Sequence, residues 1–235
     1  FLAAASITVA QYKADIDALD RALETRTEAS VELEGKIKLV ESMLAQKNLS
    51  NVQRYFFNDQ LYSLCFSYQF DRALSAADSK IDAARRIDDS SMLFEAVLDK
   101  ATVLCVAGFY LESRMVIEEA AICEETLTPD QKLRFYYYLQ HYYIDFHSYY
   151  GGGGDEEVRK AIEYRQLIVD STPEDSKLHL EMATLLSLSQ GDFHKADSLS
   201  VRWLDSVQYR TLDYSISSFY AGLIQERLGN TEKAI

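Results

Sequence analysis

The sequence predicts an all-α protein assembled from repeated helix pairs, and three observations lead there. Gly and Pro, nine and two in 235 residues, are scarce, and no stretch keeps the period-2 alternation of a half-buried strand. Apolar residues recur instead at intervals of three and four, the spacing that lines one face of a helix. Short motifs that join a turn to a small residue also return in the same order along the chain.

Residues 1–11, FLAAASITVAQ, are uncharged and precede an abruptly polar stretch. They fit two readings: the remnant of a secretory leader closing on the small residues around Ala10, or the first apolar turns of an ordinary helix. The sequence starts on Phe1 and stops inside a motif, TEKAI, so a segment of a longer protein is expected. Within it no run of 18 apolar residues occurs to span a membrane.

Residues 12–48 carry two amphipathic stripes, Ile16-Leu19-Leu23 and Leu33-Ile37-Val40-Leu44, with a polar break at Arg26-Thr27. They predict a pair of N-terminal capping helices. A short coiled-coil seam, and with it a homodimer, is the alternative, although two heptads make a short seam.

From residue 49 to 235 the motifs FDRALSAAD, GFYLESRMVIEEA, DEEVRKAIEY, GDFHKADSLS and GNTEKAI follow one another. Their small residues are Ala73, Ser113, Ala161, Ala196 and Ala234, at steps of 40, 48, 35 and 38. Each step is the length of one helix–turn–helix unit, giving about four and a half units with the last cut short. The long step contains Gly151 to Gly154, read as a flexible insertion between the two helices of the third unit. Pro129 and Pro173 each follow a Thr and suit the first turn of a helix.

This pattern resembles the tetratricopeptide repeat (TPR), whose second helix carries a small residue where its partner crosses tightly. The last unit matches best, with Ala221-Gly222, Gly229-Asn230 and Ala234-Ile235. Pro173 lies where the family often ends its second helix, whereas Leu61, Ala101 and Thr184 replace the family's preferred Gly or Ala. The resemblance implies a right-handed α-solenoid whose helix pairs bury their wide apolar faces by stacking.

A second resemblance rests on Leu19-Asp20, Lys36-Ile37, the aromatic-rich helix at 54–68 and the turn Phe70-Asp71-x-Ala73-Leu74. These pieces look like the start of a Bacteroidetes family of membrane-anchored transcription regulators. There an exported TPR region precedes a transmembrane helix, a coiled coil and a cytoplasmic DNA-binding domain. The resemblance implies a periplasmic sensory domain that meets the membrane only through other parts of the protein. A cytoplasmic TPR scaffold or peptide-pheromone receptor is the alternative, and an enzyme the weakest reading.

Charge and motifs narrow the chemistry. With 24 basic and 37 acidic residues the formal charge is −13, so a phosphate backbone is not the expected partner. No P-loop, nucleophile elbow or HExxH occurs, and no cofactor is implied. His141 and His147 point to different sides of a helix, and His179 and His194 lie in different helices, which is a poor start for a metal site. Cys65, Cys105 and Cys123 sit in apolar helical patterns and read as small buried hydrophobes.

The strongest chemical signal is FYYYLQHYYIDFHSYY, residues 135–150, with nine Phe and Tyr rings in sixteen residues. On a helix, Tyr136, Leu139, Tyr143, Phe146 and Tyr150 form a packing stripe. Arg134, Tyr137, His141, Asp145 and Ser148 form a polar stripe beside it that faces the groove of the repeat. The same register adds Tyr55, Asn58 and Tyr62 from the first unit, Glu95, Leu98 and Thr102 from the second, and Glu181 from the fourth. Tyrosine offers wide contact area with few rotors to freeze, which suits a protein, peptide or glycan ligand. Tyr137, His141 and Arg134, with Tyr62, are the expected main contact.

Overall fold

The computed structural model describes residues 2–122, 124–150, 155–209 and 211–230, without the side chains of 2–12, Ala14, Asp15, Ala18 and Ala22. Among these residues there are ten α-helices and no strand. They fall into two units, residues 1–103 and 104–235, with the boundary inside the fourth helix.

In the first unit, α1 spans Leu2–Leu44, α2 Asn51–Cys65, α3 Phe70–Ile87 and α4 Ser90–Val106. The expected N-terminal helix pair is one helix of 43 residues. Arg26-Thr27 is a polar interruption of the stripe, but neither residue breaks a helix, so the backbone continues through it. The leader and helix-start readings of residues 1–11 both accommodate this helical backbone. The C-terminal part of α1 is anchored: Leu33, Ile37, Val40 and Leu44 join a core with Leu61, Cys65, Ala73, Ala76 and Val103. Arg72 of α3 pairs with Glu41 and Glu34 of α1 around this contact. Ile16, Leu19 and Leu23 are more than half exposed.

The second unit contains α5 (Tyr110–Glu119), α6 (Pro129–Tyr150), α7 (Glu156–Ser171), α8 (Lys177–Ser189), α9 (Phe193–Ser206) and α10 (Leu212–Arg227). The closest backbone packing joins α6 with α7, α7 with α8, α8 with α9, and α9 with α10. This is the consecutive helix pairing of the TPR. The first helix of every pair starts from a short polar cap. Ser50, Asp89, Thr128, Ser176 and Thr211 accept the backbone N–H three residues on. Each such cap contributes about 1 kcal/mol. Ser50–Gln53 and Thr128–Gln131 close the reciprocal capping box. Gly108 and Gly191 take φ of 86° and 75° in the turn to the second helix, a conformation a side chain strains.

The repeat register holds. Ala73, Ser113, Ala161 and Ala196 are each 0% exposed, near the starts of α3, α5, α7 and α9; Ala234 lies outside the described residues. Pro129 opens α6 as expected. Pro173 does not open α8: Ser176 holds the cap, and Pro173 sits in the preceding turn after α7 ends at Ser171. The excess length of the third unit resides partly in α6, which has 22 residues against 15, 17, 13 and 16 in α2, α4, α8 and α10. The insertion at 151–154 lies outside the described residues, as does Cys123. Cys65 and Cys105 are buried free thiols, and burial pushes Cys105 up to about 12, which makes it inert. Among the described residues, no helix is long and apolar enough to cross a membrane.

Candidate functional site

The aromatic helix α6 uses its rings on more faces than one stripe. Phe135, Tyr136, Tyr138 and Tyr142 are buried, while Tyr149 and Tyr150 are exposed. Of the expected packing stripe, only Tyr136 is fully buried. Leu139, Tyr143 and Phe146 are half-buried, and Tyr150 reaches solvent. The reason is that α6 packs against two neighbours at once. Toward α5, Tyr138 shares a 2.8 Å hydrogen bond with Ser113, and Tyr142 meets Tyr110 edge-on. Toward α7, Tyr136 and Tyr143 pack on Tyr164. Burial is thus divided between two adjacent stripes.

The third face carries the polar stripe. Tyr137 and His141 are half-buried and stand edge to face, ring centroids 4.8 Å apart. They line a cleft of about 390 Å³ with Glu181 and Leu185 of α8 and Ser215, Ile216, Phe219 and Tyr220 of α10. Three residues chosen from the sequence register, Tyr137, His141 and Glu181, are therefore brought together. The α10 residues were missed, although the same register, carried from Thr184 (twelve before Ala196) to Gly222 (twelve before Ala234), takes Glu181 to Phe219. Arg134 and Ser148 lie on the exposed face of α6, outside the cleft lining.

Inside the cleft the Tyr137 hydroxyl donates to Glu181 Oε1 at 2.9 Å. Burial, then the Glu181 charge, holds the Tyr137 phenol far above its ordinary range. Burial raises the Glu181 carboxyl as well, and the Tyr137 hydrogen bond opposes that rise. His141 is held down to about 4, first by burial and then by the Arg165 cation, so it is neutral at pH 7. Arg165, 6% exposed on α7, donates to Gln140 Oε1 at 2.9 Å and to Ser189 Oγ at 3.0 Å. The cleft thus offers aromatic walls, a neutral imidazole and one carboxylate.

The first-unit candidates serve packing. Tyr55 and Asn58, expected in the groove, are buried. Tyr55 donates its hydroxyl to Met92 O, and Asn58 donates its amide to Arg54 O. Both side chains therefore point into the packing of the first unit rather than into an open groove. Tyr62 is half-buried and donates to Asp99 O at 3.2 Å. Thr102 bonds back to Leu98 O, Leu98 is core, and Glu95 is half-buried.

Tyr55 and Tyr62 face a residue that the sequence reading overlooked. Lys80, 1% exposed, places Nζ 5.1 and 5.4 Å from their ring centroids. It pairs with Asp59 at 2.5 Å and with Asp99. The available signal was a lone Lys inside the Ala73-Ala76-Ala77-Ile81-Ala84 stripe.

A family model described as the SusR N-terminal TPR domain matches residues 23–235. No curated protein matches the sequence. A crystal structure of BtubC (BKLC) from P. vanneervenii is similar over 87% of this chain and 84% of that one, at 14% identity and a TM-score of 0.49.

Proposed function

We propose, from the premise that this chain belongs to the SusR N-terminal TPR domain family, that it is the ligand-binding sensory module of a membrane-anchored transcription regulator. The module is exported in this reading, and its output parts lie elsewhere in the protein. Its ligand is a peptide, protein segment or glycan held in the cleft of the second unit.

One observation carries the binding role: Tyr137, His141 and Glu181, on two different helices, converge with Phe219 and Tyr220 of a third on one cleft. Phe219 is 65% exposed there, a large ring whose desolvation favours binding. Pockets of this size with apolar walls and a few convergent polar groups are the usual form of a ligand site. Buried aromatic anchors then carry most of the energy, about 2 kcal/mol or more each.

The test is a thermal-shift and calorimetric screen against peptide and oligosaccharide libraries, repeated with Phe219→Ala and with Tyr137→Ala. The expected result is a ligand whose affinity falls roughly thirtyfold in either variant. Unchanged affinity in both removes the cleft as the site. Export is tested separately, with an epitope on this segment that must become protease-accessible in spheroplasts while a cytoplasmic marker stays protected.

A further inference from the structure

The two units contain related constellations in different states of completion. In the first, two carboxylates and two tyrosine rings surround a buried ammonium: Asp59 and Asp99 pair with Lys80 under the rings of Tyr55 and Tyr62. The carboxylates stand on α2 and α4, the first helices of their pairs, and the cation comes from α3.

In the second unit, the corresponding first helices bring Tyr137 and Glu181 to the cleft, with Tyr220 from α10. Glu181 is 7% exposed and accepts the Tyr137 hydroxyl. Among the described residues it makes no ion pair. Lys177 and Arg165 act on it through space and offset part of that charge, but neither reaches it as an ion pair. Arg165 donates to Gln140 and Ser189, and Lys177 pairs with Asp213 at 2.7 Å. A buried carboxylate with one neutral donor is costly, and a cation beside it offsets that cost. Aromatic faces add attraction for the same charge once water is excluded. His141, neutral at pH 7, adds no opposing charge.

We infer that the ligand of this cleft presents a cationic ammonium or guanidinium group to Glu181, beside the rings of Tyr137 and Tyr220. The inference rests on the cleft being the ligand site. It separates a basic peptide side chain or a free amine from a neutral glycan. The first unit supplies the precedent, since the same side-chain types there hold an ammonium from within the chain.

The experiment uses isotope-labelled protein and four probes at millimolar concentration. These are Nα-acetyl-lysine methylamide, its Nε-acetylated neutral counterpart, cadaverine, and a neutral disaccharide. The expected result is that a cationic probe shifts the resonances of His141, Glu181 and residues 215–220. Its Kd should be roughly tenfold below that of the neutral counterpart. Binding by the lysine derivative alone identifies a peptide side chain, and binding by cadaverine also admits a free amine. Glu181→Gln should abolish the preference without lowering Tm. If the neutral counterpart or the disaccharide shifts the same resonances as strongly, the charge inference fails while the cleft remains the ligand site. If the probes shift only resonances outside the cleft, the site reading fails with it. No shift from any cationic probe also overturns the inference.

Discussion

Two ionisable residues, His141 half-buried and Lys80 fully buried, bear on stability in different ways, and each can be read by a single substitution. His141 has an ordinary pKa of 6.5 and a folded value of about 4. Between those values the unfolded chain binds the extra proton, so this residue's contribution to stability falls as pH drops from 6.5 toward 4. Lowering the pH from 7 to 5 should cost about 1–2 kcal/mol through His141 alone. Chemical denaturation of wild type and His141→Gln at both pH values checks this: the gap between them should shift in favour of the variant at pH 5. Lys80 works through its partners. Lys80→Met leaves Asp99, 11% exposed at its side chain, without its cation. The loss should be about 3 kcal/mol, seen as a lower denaturation midpoint with unchanged m-value. Neither residue's role follows from residue type. Both depend on a charge or ring placed inside a stripe, as Lys80 interrupts an alanine face and Arg165 falls between Ala161 and Ile168.

At the scale of helices the repeat was legible because it depends on small residues that must be small. Ala161 is 0% exposed at its crossing, whereas Lys160 beside it is half-buried, in an i,i+4 pair with Glu156 and with Nζ 5.2 Å from the Tyr143 ring centroid. Ala161→Leu should therefore cost about 1–3 kcal/mol, and Lys160→Leu, which removes only a partly exposed ion pair and a ring contact, less than about 1 kcal/mol. Paired melting curves test this, and equal midpoints would mean the register is wrong. Boundaries were legible where a cap or a proline fixed them, as at Thr128-Pro129. They were misread where two signals competed, as at Pro173 and Ser176. The single long α1 was missed for a related reason. Periodicity reports which face is buried, and a polar break in a stripe says nothing about the backbone beneath it. The aromatic helix shows the converse, since a stripe rule assumes one packing neighbour and α6 has two.

For the molecule as a whole, the sequence register located part of the cleft and left the rest dark. Tyr137, His141 and Glu181 were found because the repeat places equivalent positions of successive first helices side by side. Phe219 and Tyr220 were missed because the groove register was not carried into the last, truncated unit, although Ala221-Gly222 marks it in α10. Tyr55 and Asn58 were assigned to a groove although their face is closed by α3 and α4, a closure that only three-dimensional packing reveals. In the function proposed above, this SusR-family TPR segment senses its ligand through the cleft formed by α6, α8 and α10. Hydrogen exchange of the ligand-bound protein against the free protein tests it most directly. Ligand should add protection only in the turns around Tyr137–His141, Glu181–Leu185 and Ser215–Tyr220, and Phe219→Ala should abolish it. Protection centred on the first unit, or on the exposed face of α5, with those three segments unchanged, would contradict it.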